Sequence, residues 1–157
     1  MRVIAAAVLL IAAAMIIGLL RLDAAGRVLT LRDTASGRVY ARFFLEPGAE
    51  FAVTFTHSVN KTDVTERYAL RDGQVVLTGC VYYSFGAGVA TELQPGWRFD
   101  FGENGEMIIS GIDRPLPSLS YVVGTVSDHI LTANGSAYSL RALCGRSRSV
   151  EFLASAS

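Results

Sequence analysis

Residues Phe51-Ala52-Val53-Thr54-Phe55-Thr56-His57-Ser58 and Asp63-Val64-Thr65-Glu66-Arg67-Tyr68-Ala69-Leu70 decide the fold. In both runs apolar and polar residues alternate with a period of two, as in a half-buried strand. Val59-Asn60-Lys61-Thr62 joins them, so the runs read as a hairpin turning at Asn60-Lys61. That turn predicts Val59 opposite Thr62, His57 opposite Val64 and Phe55 opposite Glu66. One face then carries Phe51, Val53, Phe55, Val64, Tyr68 and Leu70, with His57 and Glu66 set diagonally among them. The other carries Thr54, Thr56, Ser58, Asp63, Thr65 and Arg67. Buried charge is costly unless paired, so a titratable pair on the apolar face is the first candidate for chemistry.

The same pattern extends in both directions. Asp72-Gly73, Asn104-Gly105 and Asn134-Gly135 separate further alternating runs and fit tight turns whose central residues take positive φ. Strands are expected at Arg27–Arg32, Arg38–Leu45, Leu119–Val126 and Ser149–Leu153 as well, with Ser36-Gly37 as a turn. About ten short strands at this spacing predict an all-β fold, an antiparallel β-sandwich or a partly open barrel. Arg114-Pro115-Leu116-Pro117 reads as a loop, because proline cannot donate to a central ladder. Trp97, Phe99 and Phe101 share one strand face and read as core.

Ahead of the β-domain, Val3 to Leu20 is eighteen residues without a charge. As a helix it spans about 27 Å, close to the hydrocarbon core of a bilayer. It is long for a cleavable signal, and Leu22-Asp23-Ala24 is a poor cleavage site. Residues 1–24 therefore read as a membrane anchor or signal segment, 25–154 as one exported β-domain and 155–157 as a frayed tail. Arg2 before the segment favours a cytoplasmic N-terminus and a periplasmic domain. Fourteen basic residues balance fourteen acidic ones, which leaves no broad positive field for nucleic acid. Cys80 and Cys144 are the only cysteines, and in an exported domain they suggest one disulfide. Their spacing fits no metal site, and no cofactor motif is present.

Two stretches could carry function. The first is His57, Ser58, Lys61 and Glu66, where Lys61 is the single lysine of the chain. A carboxylate beside the imidazole could serve as an acid–base pair, hold a ligand, or only fix register. Ser58 points away from His57 along a strand, and no Gly-x-Ser-x-Gly elbow occurs, so serine hydrolase chemistry is not expected. The second is Ser84-Phe85-Gly86-Ala87-Gly88, whose amides could form an anion nest or simply turn a corner. His129, beside Asp128, reads as structural or surface, and Asn134-Gly135-Ser136 as a turn rather than a glycosylation site.

His57-Ser58-Val59, Lys61, Glu66 and Ser84-Phe85-Gly86-Ala87-Gly88 together resemble a small, membrane-anchored bacterial family of unknown function encoded beside TAXI-type TRAP transporters. The resemblance spans Leu29 to Leu143 and is densest from Phe55 to Val89; Val89-Ala90 departs from it where a proline is expected. It implies a place at the periplasmic face of the inner membrane, near a permease and its periplasmic binding protein, and supplies no catalytic residues. Three roles follow as expectations. One is a non-enzymatic transporter accessory. Another is a module binding a small organic anion through Lys61 and the glycine amides. The third is a small enzyme using His57 and Glu66.

Overall fold

Local alternation folds the chain into strands, and the turn dipeptides set where they reverse. The computed structural model describes residues 28–46, 48–59, 61–84 and 93–155. The strands are β1 (Val28–Asp33), β2 (Val39–Phe44), β3 (Glu50–Thr56), β4 (Asp63–Arg71), β5 (Gln74–Tyr82), β6 (Arg98–Phe101), β7 (Met107–Leu116), β8 (Leu119–Val122), β9 (His129–Ala133), β10 (Ser136–Ser139) and β11 (Ser149–Ser155). One short helix, α1 (Leu140–Cys144), precedes β11. A smaller sheet has the order β2-β1-β11-β8 and a larger one β10-β9-β3-β4-β5-β7-β6. Every pairing is antiparallel. The expected all-β class is correct, as a sandwich-like pair of open sheets.

The inner faces meet in an apolar core that includes Leu29 and Leu31 of β1, Phe51 and Val53 of β3, Tyr68 of β4, Leu131 of β9, and Val150 and Phe152 of β11. Phe51 anchors it, stacked on Tyr68 at 5.2 Å between ring centroids and tilted against Phe152 at 6.0 Å across the two layers. Burying a side chain of this size contributes about 1.5–3 kcal/mol. Asp72 (φ 50°) with Gly73 (φ 72°) and Asn134 (φ 48°) with Gly135 (φ 71°) make the expected positive-φ turns. Asn134 does more: its amide donates to Phe44 O and accepts from Glu46 N, tying the β9–β10 turn to the chain leaving β2.

Strand β5 changes phase midway. Val75 and Leu77 enter the core from its first half, Cys80 and Tyr82 from its second. Two inward parities in one strand require an extra residue, and the ladders slip there on both sides: between Arg67 and Tyr68 against β4, and between Leu77 and Gly79 against β7. Gly79 lies so close to β7 that a Cβ there would sit 2.8 Å from Ile109 O.

Several expectations are corrected. Cys80 and Cys144 are free thiols, not a disulfide. Cys80 lies mid-sheet on β5 beside Glu66, whereas Cys144 ends α1 within the field of Asp33. Arg114, Pro115 and Leu116 continue β7 instead of forming a loop, and Pro115 pairs with Val76. Strand β6 covers β7 only from Met107 to Ser110. Beyond that point β7 is an edge, where a missing N–H is tolerated. Trp97 and Phe99 pack on the core as expected, but Phe101 is 69% exposed. The Val3–Leu20 segment lies outside the described residues. Among the described residues no helix is long and apolar enough to cross a membrane.

Candidate functional site

The β3–β4 register differs from the expected one by two residues. Phe55 faces Val64, Val53 faces Glu66 and Thr56 faces Asp63. Beyond the strand ends, His57 N donates to Thr62 O (2.8 Å) and Lys61 N to His57 O (3.0 Å). The turn is therefore longer than a two-residue reversal, with Lys61 left-handed at φ 58°. An even slip preserves which face each residue takes. The outer face keeps its polar ladder, with Thr54 bonded to Thr65 (2.8 Å) and Thr56 to Asp63 (2.9 Å). Neighbours on the inner face change, however. His57 stands four residues beyond Val53, the partner of Glu66, so the pair is separated by roughly 13 Å along the strand rather than lying diagonally adjacent.

His57, Ser58, Lys61 and Ser84 gather instead at the end of the larger sheet. Thr62 and Ser84 share a hydroxyl hydrogen bond (3.3 Å), which couples the hairpin tip to the segment leaving β5. The imidazole of His57 turns back on its own loop, Nδ1 accepting from Val59 N (3.3 Å). Ser58 and Lys61 are exposed, and Val59 presents 70% of its surface to solvent. Phe85, Gly86, Ala87 and Gly88 lie outside the described residues.

Glu66 belongs to a different group, built across the two layers. Its Oε2 accepts from Tyr68 OH (2.8 Å) on its own strand and from Tyr121 OH (2.6 Å) on β8 of the opposite sheet. The phenolic oxygens are 2.7 Å apart. Burial, followed by the Glu66 charge, raises the Tyr68 pKa, and burial with Tyr68 and Glu66 raises that of Tyr121, so both phenols stay protonated donors. Cys80, opposite Glu66 on β5, is lifted to about 11 by burial and then by the same carboxylate.

His129 closes the group. Its ring stacks on Phe55 (5.4 Å, 23°) and tilts against Tyr121 (5.4 Å). Nδ1 accepts from Gly124 N (3.4 Å), which leaves the neutral ring's proton on Nε2. Burial lowers its pKa against the opposing pull of Asp128, and Arg141 adds to the lowering. Asp128 meanwhile accepts from His129 N, Arg141 N and the Ser139 hydroxyl, which caps α1.

Sequence reasoning found Glu66 and missed Tyr121, because the partner lies 55 positions away in the other sheet. A phenol facing inward at Tyr121, with its need for a polar partner, was the available signal. Residues 51–140 match the family described as Domain of unknown function (DUF1850), and the chain belongs to that family. No curated protein and no solved structure matches it.

Proposed function

We propose that this member of the family is a non-enzymatic accessory protein of a TAXI-type TRAP solute transporter. Val3–Leu20 anchors it in the inner membrane, the β-domain stands in the periplasm, and the β3–β4 tip docks on the permease or its binding protein. The observation that carries this reading is the tip itself: an exposed apolar Val59 flanked by Ser58 and Lys61, braced from below by the Thr62–Ser84 bond. A braced loop loses little freedom on docking, which favours contact use. The resemblance to proteins encoded beside such transporters supplies the partner. The anchor would raise the effective concentration at the permease into the millimolar range. His57, folded onto Val59 N and about 13 Å along the strand from Glu66, fits a loop-shaping role better than acid–base work.

Tagged full-length chain extracted in mild detergent from native membranes should bring down permease or binding protein. Exposed-site changes usually move stability by under about 0.5 kcal/mol, so the Val59→Asp/Lys61→Glu variant should remain folded and lose that recovery. Absence of both transporter components from the wild-type eluate, or equal recovery with the variant, refutes the proposal.

A further inference from the structure

The phase change in β5 leaves Thr78 unmatched on both sides. Against β4, Arg67 pairs with Gly79 and Tyr68 with Leu77. Against β7, Gly79 pairs with Ser110 and Leu77 with Arg114, so β7 arches past Thr78 through Gly111, which takes φ +75°. Thr78 is only 9% exposed, and its Oγ1 is buried with no hydrogen-bond partner among the described residues. Buried hydroxyls are nearly always satisfied, so the orphan marks where packing around the phase change is irregular, and open space adjoins it.

That space is a dent of about 240 Å³ on the outer face of the larger sheet, lined by Glu50, Arg67, Arg71, Thr78, Ser110 and Gly111 among others. Its two arginines are not equivalent. Arg71 Nη1 is held by Asp113 Oδ1 at 2.7 Å. The Arg67 side chain makes no hydrogen bond or ion pair among the described residues, and neither does that of Glu50, although the two lie on adjacent strands, Glu50 two residues from Ala52, the partner of Arg67. The lining therefore offers an uncommitted guanidinium and an uncommitted carboxylate side by side.

We infer that this dent binds a small hydroxy- or amino-carboxylate. Arg67 takes the carboxylate through its planar fork. Glu50, an acceptor only, takes the proton of the ligand's hydroxyl or ammonium group. The volume lies below the roughly 300–1,000 Å³ of drug-sized sites, which suits a ligand of about three to five carbons. The dent lies along β4 and β5 from the hairpin tip, so its occupancy and the docking proposal stand or fall separately.

Titration calorimetry on the full chain in detergent at neutral pH and low salt tests this with L-lactate and L-serine, and with acetate as a carboxylate lacking the donor. Lactate or serine should bind saturably with a dissociation constant at or below ~1 mM, and acetate about tenfold more weakly. The two probes tell hydroxyl from ammonium recognition. Arg67→Gln, at an exposed position, should weaken binding about tenfold or more at an unchanged thermal midpoint. Glu50→Gln, also at an exposed position, should weaken it too. Absence of saturable heat with both probes, binding that survives both substitutions, or acetate binding as tightly as lactate overturns the inference.

Discussion

Replacing Tyr121 by phenylalanine removes one oxygen from the contact that joins the two layers. Three oxygen pairs, at 2.6, 2.7 and 2.8 Å, connect Glu66 Oε2, Tyr68 and Tyr121. With an ionised carboxylate only two phenolic protons serve these three pairs, so one contact is a convergence and not a bond. A hydrogen bond to a charged group is worth about 1.5–3 kcal/mol. Glu66 and Tyr121 are half-buried, which favours the lower part of that range. The ring itself stays, so its contacts with Phe55 and Phe152 persist and the void is one hydroxyl. The expected loss is about 2 kcal/mol, or a midpoint lowered by roughly 5–10 °C for a domain of this size. Trp97, the single tryptophan, packs on the core and reports urea unfolding of the full chain in detergent. If both phenols donate to Oε2, Tyr68→Phe should cost a similar amount, and the double variant should fall short of the sum by about 0.5–1 kcal/mol. If Tyr68 donates to Tyr121 instead, Tyr121→Phe should cost distinctly more than Tyr68→Phe. A Tyr121→Phe protein within about 0.5 kcal/mol of wild type refutes the idea that this group ties the sheets together.

Three further outcomes follow from the same kind of accounting. Asp33 accepts from Ser36 N and its hydroxyl (both 2.8 Å), from Tyr40 OH and from Ala35 N, and these bonds, those of Ser36 foremost, hold its pKa at about 2, below the ordinary aspartate value of 3.8. Because the folded value is the lower one, its stabilisation is complete above about pH 4 and is lost as pH falls towards 2. Circular dichroism across that window should show a flatter stability curve for Asp33→Asn, and a parallel curve would refute the assignment. Burial lifts both Cys80 and Cys144 to about 11, so native protein should resist iodoacetamide at neutral pH and take up two adducts once denatured without reductant. Adducts that appear only after reduction would restore the disulfide. Thr78→Val should raise the unfolding free energy by about 1 kcal/mol in ligand-free protein, since it removes a buried hydroxyl that lacks a partner; a loss of that size would mean that the hydroxyl is already satisfied.

What was legible in the sequence was local. Period-two alternation and the Asp72-Gly73 and Asn134-Gly135 dipeptides act over a few residues, so most strand positions, the faces of the β3–β4 hairpin and the all-β class follow from them. Register was not local. It depended on whether the chain between His57 and Thr62 reversed at Asn60-Lys61 alone. The left-handed Lys61, the His57 N–Thr62 O bond and the Lys61 N–His57 O bond make a longer loop, and this slid the ladder by two residues. The slip in β5 was visible in principle, since Val75 and Leu77 have one parity and Cys80 and Tyr82 the other. Pro115 misled because edge status is a property of the neighbour β6, which stops short. The cysteines misled because export argues for a disulfide only where the fold brings two thiols together.

The displaced register also explains why chemistry moves away from the pair first suspected. A carboxylate on an inward face must find donors, and a slip of two residues took the His57 imidazole out of reach. Tyrosine is suited to the vacancy, since its ring joins the apolar layer while its hydroxyl reaches the carboxylate. Tyr121 does this from the opposite sheet, a contact that ladder reasoning cannot supply because layer packing is independent of strand pairing. Glu66, Tyr68, Tyr121 and His129 are thereby committed to one another and to the backbone around them. Among the described residues, groups with bonding capacity to spare include those at two places on the larger sheet: its braced tip at Ser58 and Lys61, and the dent where β5 changes phase beneath Arg67. Both owe their shape to a departure from regular pairing, a lengthened turn in one case and a bulge in the other, and such departures are where a sheet can expose polar groups without breaking its core.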